Sequence, residues 1–467
     1  MKIYNTVTRK KEEFTPLVAN EIGLYTCGIT VYDLCHIGHA RTFIAFDTIV
    51  KYLRYRGYSV NYVRNITDID DKIIKRANEQ GISSTALAVK YIDAMHEDMD
   101  VLGLTRPDHE PRATQYMKEM IELITGLIDK GYAYAADNGD VYYSVHKKEN
   151  YGQLVAYRKL DDLKTGARIS VNDNKNDPLD FVLWKSAKPN EPSWESPWGS
   201  GRPGWHLECS AMSMSILGQT FDIHGGGYDL IFPHHENECA QSEAFSGKKF
   251  AKYWMHVGFM QVNAEKMSKS LGNFATIRDV LKDYHPETLK YFINSGHYRS
   301  PLEYCPDSLQ QATVSLERFY IALRNINLTA EITITSESLE LESRFVDAMD
   351  DDFNTPKALA VLFDIAKKIN LYKVHEDDSK SQELGALLIK LASILGILQV
   401  PIDTYFNCNR QNNILDDDKI ESMIQERNDA RVNKNWTRAD EIRDWFQEHS
   451  IIVEDGAAGT TWRYKNS

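Results

Sequence analysis

Apolar residues run almost unbroken through residues 22–30, Ile-Gly-Leu-Tyr-Thr-Cys-Gly-Ile-Thr, which predicts a buried strand. From Thr42 through Tyr55 the spacing changes. Phe43, Ile44, Phe46, Ile49, Val50 and Leu53 recur at helical intervals, and Gly57 stops that helix. Tyr58 to Arg64 alternates as a second strand, Asn65 to Asp71 turns the chain, and Lys72 to Gln80 is a helix closed by Gly81. Strand, helix, strand, helix predicts a right-handed βαβ unit in a parallel sheet, and such sheets take nucleotides at the C-terminal ends of their strands.

The rhythm changes from Pro111 to about Gly204. A helical stretch, Tyr116–Lys130, leads to a hairpin-like run, Ala133–Val145, turning at Asp137-Asn-Gly-Asp. A polar segment and a Pro/Trp/Gly-rich loop follow, so this region reads as an insertion, with the sheet chemistry resuming at Gly204-Trp-His-Leu-Glu-Cys. Next come strand-like Thr220–His224, a turn at Gly225-Gly-Gly, a helix through His234–Phe245 and a strand near Trp254–Val262. Beyond Asp307 the pattern is helical. Asn354-Thr-Pro-Lys supplies an N-cap and an N1 proline for one helix, and Ala386–Leu398 forms another. From about Asp416 two helical runs precede two short strands, Ile451–Glu454 and Thr460–Tyr464. The expected fold class is α/β: a Rossmann-type nucleotide-binding parallel sheet split by an insertion, followed by an α-helical bundle and a small α/β C-terminal domain. The expected divisions are 1–110 and 204–262 for the two sheet halves, 111–203 for the insertion, 263–306 for a loop and stem-contact region, 307–402 for the bundle and 415–467 for the small domain.

Composition narrows this only a little. With 467 residues, 42% hydrophobic and 26% charged, the chain has room for about three domains of ordinary globular make-up. No apolar signal core or membrane-length run occurs, so the expectation is a cytoplasmic protein without a membrane partner. The six cysteines include no C-x-x-C pair, which points to buried thiols or metal ligands rather than a disulfide framework. A net charge of −13 argues against indiscriminate binding to nucleic acid but allows a local basic face.

The chemistry begins at Tyr25–Arg41. His36-Ile-Gly-His39 sits at a helix N-terminus, where backbone N–H groups favour bound phosphate, and Gly38 leaves room for a flat ligand. Lys266-Met-Ser-Lys269-Ser places two ammonium groups in a loop that could close over a polyphosphate. Each motif alone is common. Together, in this order and flanking a βαβ pattern, they resemble the signature pair of the class I aminoacyl-tRNA synthetases. The resemblance implies that His36, His39, Lys266 and Lys269 stabilise charge as an amino acid carboxylate attacks the α-phosphate of ATP, a reaction done by positioning and electrostatics.

Four residues bear on which amino acid. His234 and Glu238 share a helix face, and Cys27 and Cys209 can converge on them if the two sheet halves pack side by side. Cys, Cys, His and Glu make a credible Zn²⁺ set, and a zinc-bound thiol becomes a thiolate as a serine hydroxyl does not. With Cys27-Gly-Ile-Thr-Val-Tyr-Asp, Gly204-Trp-His-Leu-Glu-Cys-Ser-Ala-Met and His224-Gly-Gly-Gly-Tyr-Asp-Leu-Ile-Phe-Pro-His-His-Glu-Asn-Glu, the chain resembles the cysteinyl-tRNA synthetases over essentially its whole length. The resemblance implies one Zn²⁺ on Cys27, Cys209, His234 and Glu238, a cysteine pocket lined by Thr67, Trp205 and His224, and ATP, with Mg²⁺, held by Gly38, His39, Asp229 and Lys269. It also implies tRNA(Cys), L-cysteine and ATP as partners, a monomer, and anticodon contacts from Arg431, Asp440 and Asp455. His235 and Cys239 are offset from the helix face and read as supporting or packing residues, and Cys35, Cys305 and Cys408 as structural thiols. Two rival readings remain. One is a ligase of this fold that passes cysteine to a small amine, which would need no long helical region or α/β tail. The other is a catalytically silent zinc protein, which would need none of the signature histidines and lysines.

Overall fold

A computed structural model describes residues 1–155, 174–189, 191–262, 265–266, 274–328, 333–407, 417–449, 451–456 and 459–464. These fall into two compact units. The first comprises Met1–Cys305, Glu340–Val361 and Ile394–Gly396, and the second Pro306–Leu339, Leu362–Ser393 and Ile397–Ser467.

The first unit opens with an antiparallel hairpin of β1 (Lys2–Asn5) and β2 (Lys10–Glu13), unanticipated from its polar sequence. Then β3 (Glu21–Thr30), α1 (Ile37–Tyr55), β4 (Ser59–Thr67) and α2 (Asp71–Gln80) form the βαβα unit that the apolar spacing predicts. Helix α1 starts five residues before the apolar periodicity because His36 caps it. Asp70 caps α2, and Gly81 ends it in the left-handed conformation, φ 66°. Helix α3 (Ser84–Val101) was not foreseen. Ser83 caps it, and Leu87, Ala88, Tyr91, Ile92, Met95 and Met99 form its buried stripe.

In the insertion, α4 (Met117–Asp129) precedes a four-stranded sheet of β5 (Ala133–Ala135), β6 (Val141–Tyr143), β7 (Phe181–Ser186) and β8 (Gly201–Pro203), antiparallel throughout. Its core is continuous with the helices that follow: Met120, Leu123, Ile124, Leu127 and Trp184 cluster with Ala211 and Ala240. Burying each large apolar side chain contributes about 1.5–3 kcal/mol, which fastens the insertion to the sheet domain.

The sheet domain resumes with α5 (Trp205–Leu217), β9 (Phe221–Gly227), α6 (Glu236–Ser246) and β10 (Ala251–Val257). The parallel sheet runs β10-β9-β3-β4. Two local expectations need correction. Residues 65–67 continue β4 rather than turn the chain, and Gly225–Gly227 is no turn but the end of β9. These strand positions need glycine because rings occupy the space of a side chain: a Cβ would lie 2.2 Å from Phe46 at Gly225 and 2.9 Å from His235 at Gly226. Beyond β10, β11 (Met260–Val262) pairs with β12 (Glu265–Lys266) and with β13 (Leu302–Glu303), which follows α7 (Ile277–Asp283) and α8 (Pro286–Ser295).

The remainder is helical until the tail: α9 (Pro306–Leu323), α10 (Ser336–Asp350), α11 (Thr355–Val374), α12 (Asp378–Ile394) and α13 (Ile402–Asn407). Helices α14 (Asp417–Val432) and α15 (Trp436–Glu448) then pack with the antiparallel pair β14 (Ile451–Gly456) and β15 (Gly459–Tyr464) around Ile420, Ile424, Ile442 and Phe446. Among the described residues no helix is long and apolar enough to cross a membrane.

Candidate functional site

The site sits at the C-terminal ends of β3, β4 and β9, in a cavity of about 680 Å³. Its first device is a bulge. The β3–β4 register shifts between Thr26 and Ile29, so Cys27 and Gly28 leave the regular ladder. The side chain of Asn65 replaces the missing ladder bond, its Oδ1 accepting from Gly28 N–H at 2.8 Å. Only glycine fits there, since a Cβ would lie 1.7 Å from the Asn65 carbonyl oxygen. Such a bulge re-aims its neighbour, here Cys27.

Cys209 comes from the second turn of α5, whose entry is pinned by Gly204: its N–H donates to Leu183 O at 2.8 Å, and a Cβ would meet Val182 O at 2.0 Å. His234 and Glu238 come from the wide helical turn Ile231–His235 and from α6. The structure brings Cys27, Cys209, His234 and Glu238 together, all buried. The Cys27 and Cys209 sulfurs are 3.5 Å apart, Cys27 Sγ lies 3.3 Å from Glu238 Oε1, and Cys209 Sγ lies 3.6 Å from His234 Nε2. His234 Nε2 is 2.9 Å from Glu238 Oε1. A tetrahedral ion with bonds of about 2.0–2.3 Å needs donors about 3.3–3.8 Å apart, so this set fits one after a small relaxation.

The electrostatics favour a cation at the same place. Burial alone would push the Glu238 carboxyl up, yet His224 and His234 beside it hold it well below its ordinary range. Burial and Cys209 push Cys27 well up. Cys209 is drawn down to about 6 against its own burial by the bond from Cys27 and by His234, and Glu238 and Cys209 push His234 up to about 10 against burial. Four donors thus share protons that a metal ion would replace.

The remaining expected residues are distributed around this cluster. Thr67 and Trp205 line the cavity. Thr67 donates to Glu208 Oε2 at 2.7 Å, and the Trp205 ring lies 4.1 Å from that of His234. His224 stands behind Glu238, fully buried, its Nε2–H donating to Oε2 at 2.8 Å and its ring stacked on Trp254. His235, read as a supporting residue, lies with Nε2 3.3 Å from Cys27 Sγ, while Cys239 accepts from Gln153 Nε2 at 2.8 Å. Burial holds His235 well below its ordinary value and His256 down at about 3.

Cys27, Cys209 and His234 share the cavity wall with His36, Gly38, His39 and Asp229. The two signature imidazoles stack at 3.7 Å. His36 Nδ1 accepts from Gly38 N–H at 3.1 Å and His39 Nδ1 from His36 N–H at 3.3 Å, a capping box built from histidines. With each Nδ1 an acceptor, a neutral ring carries its proton on Nε2 and serves as a donor. The described chain that follows the second signature, at Ala275 and Ile277, lies beside them: Ile37 N–H donates to Ala275 O at 3.1 Å and Ile277 N–H to Cys35 O at 3.0 Å. Lys269 and the side chain of Lys266 lie outside the described residues, as do Cys408 and the side chain of Asp455. Arg431 and Asp440 are exposed on α14 and α15, Asp440 paired with Arg443 at 3.0 Å.

Sequence reasoning missed Asn65, and also Lys72, Lys75 and Arg76, which bring cations from α2 to the cavity. Asn65 stands in the sequence at the start of a turn-like segment but lies inside β4, and only its contact with Gly28 across the sheet gives it meaning.

Similarity to known proteins runs the length of the chain. The family model described as "tRNA synthetases class I (C) catalytic domain" matches residues 13–314, "DALR domain" residues 344–399, and "Cysteinyl-tRNA ligase anticodon binding domain" residues 417–463. The cysteine–tRNA ligase of Vibrio atlanticus is 55% identical over 465 residues, covering 100% of both chains. That of Methylococcus capsulatus is 53% identical over 464 residues, covering 99% of each. Among solved structures, Mycobacterium tuberculosis methionyl-tRNA synthetase in complex with methionyl-adenylate aligns with a TM-score of 0.56 at 13% identity, covering 80% of this chain and 89% of that one. The Agrobacterium radiobacter LeuRS-tRNA-LeuAMS ternary complex aligns with a TM-score of 0.56 at 12% identity, covering 83% and 86%. With its four-donor cluster and histidine-capped helix on a parallel sheet, the chain belongs to the cysteinyl-tRNA synthetase family, within the class I aminoacyl-tRNA synthetases.

Proposed function

We propose that the chain joins L-cysteine to tRNA(Cys) through a cysteinyl-adenylate formed from ATP, releasing pyrophosphate and then AMP. The observation that carries this reading is the shared wall: Cys27, Cys209 and His234 of the four-donor cluster line one cavity with the His36–His39 helix N-terminus. Cys27, Cys209, His234 and Glu238 would hold one Zn²⁺, and a zinc ion bound there supplies preference for a thiolate over a serine hydroxyl. Thr67 and Trp205 border the place for the amino acid. Asp229 suits the ribose hydroxyls of ATP, Gly38 admits the nucleotide against the backbone, and Mg²⁺ accompanies the phosphates. As the carboxylate attacks, charge grows on the α-phosphate oxygens. The Nε2–H groups of His36 and His39, with Lys266 and Lys269 from the loop, meet that charge. No protein nucleophile is required.

The match of residues 417–463 to an anticodon-binding domain favours tRNA over a small amine as acceptor, with Arg431, Asp440 and Asp455 as reading residues. The intact histidine cap speaks against a silent zinc protein. The enzyme would act as a monomer in the cytoplasm. The test is cysteine-dependent exchange of pyrophosphate into ATP, followed by charging of tRNA(Cys). Equal exchange with serine would overturn the zinc reading, and exchange without charging would favour a different acceptor.

A further inference from the structure

Cys27 has a polar neighbour outside the four-donor cluster, and it is the first link of a chain. His235 Nε2 lies 3.3 Å from Cys27 Sγ, and His235 Nδ1 lies 2.7 Å from His256 Nε2. His256 Nδ1 in turn lies 2.7 Å from Thr6 Oγ1. Both rings are buried, at 0% and 4% exposure, while Thr6 is half-buried where the N-terminal hairpin meets the sheet.

The surrounding backbone holds this chain together. Thr6 N–H donates to Trp254 O at 3.0 Å. The Asn5 side chain accepts from Trp254 N–H at 3.2 Å and donates to Lys252 O at 3.1 Å, so the hairpin docks along β10 like a further strand. Gly226, opposite His256 in the sheet, leaves the space that the His235 ring fills.

The direction of the three hydrogen bonds follows from proton counting. A Cys27 sulfur that ligates a metal is a thiolate, so His235 Nε2–H must donate to it. A neutral imidazole has one N–H and one bare nitrogen. His235 Nδ1 is then bare and accepts from His256 Nε2–H. His256 Nδ1 is bare as well and accepts from the Thr6 hydroxyl, which can rotate to donate. Every link has one permitted direction, and Thr6 supplies the terminal proton.

We propose that Thr6 is a positioning residue for the metal site: its hydroxyl, relayed through His256 and His235, selects the tautomers in which Cys27 receives a hydrogen bond as a thiolate ligand. This rests on the reading of the cluster as a metal centre. A hydrogen bond to a ligating sulfur draws charge from it and orients it, and loss of such support costs about 10–100-fold in metal affinity.

The test uses the full chain, stripped of metal and reloaded with Co²⁺, whose sulfur-to-metal charge-transfer absorption reports the thiolates directly. It compares wild type with Thr6→Val, which keeps the shape and removes the hydroxyl, and with Thr6→Ser, which keeps the hydroxyl. The expected result is a shifted band and roughly tenfold weaker Co²⁺ retention against a chelator for Thr6→Val, with Thr6→Ser matching wild type. An unshifted band and unchanged retention in Thr6→Val, or a Thr6→Ser that behaves as Thr6→Val, overturns the proposal. If Thr6→Val does not fold, His256→Phe ends the relay one step nearer the metal; it should shift the band likewise, and an unshifted band there is equally fatal. A wild-type chain without any thiolate band would instead defeat the metal reading itself, along with this inference.

Discussion

His224 Nε2–H donates to Oε2 of Glu238, the carboxylate oxygen that faces away from Cys27, while Oε1 is shared by Cys27 and His234. One carboxylate therefore has a face for the metal cluster and a back held by a fully buried imidazole. His224→Phe keeps a ring on Trp254 but removes that bond. Zn²⁺ affinity should fall about 10–100-fold, measured by chelator competition. Unchanged affinity would show that α6 alone orients Glu238.

Cys209→Ala and His234→Ala remove donors outright. Both should lose the metal and cysteine-dependent pyrophosphate exchange together, read by metal content and exchange on the same samples. Retention of both properties would take these residues out of the site.

His36 both caps α1 and faces the cavity, and the two roles are separable. Asparagine caps helices well, so His36→Asn should keep the unfolding midpoint while pyrophosphate exchange drops about 100-fold. A lower midpoint with unaltered exchange per folded molecule would make the ring a cap only.

Gly225→Ala should destabilise the chain by about 1–3 kcal/mol, because the new methyl enters the Phe46 ring and neither the strand nor α1 can yield without repacking. Denaturant unfolding of the metal-free chain measures this, and a neutral outcome would mean that Phe46 repacks freely.

Asp71 joins α2 to the insertion sheet through Lys185, at 2.8 Å, and Arg202. Burial pushes its carboxyl up, but Lys185 and Arg202 prevail and hold it below its ordinary value. A depressed carboxyl stabilises the fold above the unfolded value near 4, and that contribution is lost as pH falls through the folded value. The side chain is 61% exposed, so Asp71→Asn should cost only about 0.5–1 kcal/mol at pH 7 after screening. The gap from wild type should close in more acidic buffer. A gap that widens as pH falls would reverse the assigned sign.

Asp440→Ala breaks an exposed ion pair of little worth to stability. If Asp440 reads the anticodon, pyrophosphate exchange stays at the wild-type rate while the KM for tRNA(Cys) rises roughly tenfold, the value of one charged contact. Equal kinetics for both steps would remove it from the tRNA surface.

Periodicity and short motifs were enough for the βαβ unit, the helix at His36–His39 and the pairing of His234 with Glu238, because each depends on neighbours a few residues apart. The missed elements depend on partners far along the chain. The β1–β2 hairpin has polar strands that gain meaning only by docking on β10, and α3 shows its apolar stripe without any motif to draw attention to it. Gly225-Gly-Gly looked like a turn because glycine commonly makes turns. It is strand because Phe46 and His235 occupy the space beside it.

The candidate site divides along the same line. Residue types and local spacing determined by themselves which donors this chain has and the chemistry they suit. Tertiary structure alone decided that a bulge held by Asn65 turns Cys27 toward Cys209, that His224 stands behind Glu238, and that two buried imidazoles tie Cys27 to Thr6. The reason is physical. A hydrogen bond or metal edge of about 3 Å between residues some 200 positions apart is set by how whole elements pack, and that packing leaves no local period in the sequence.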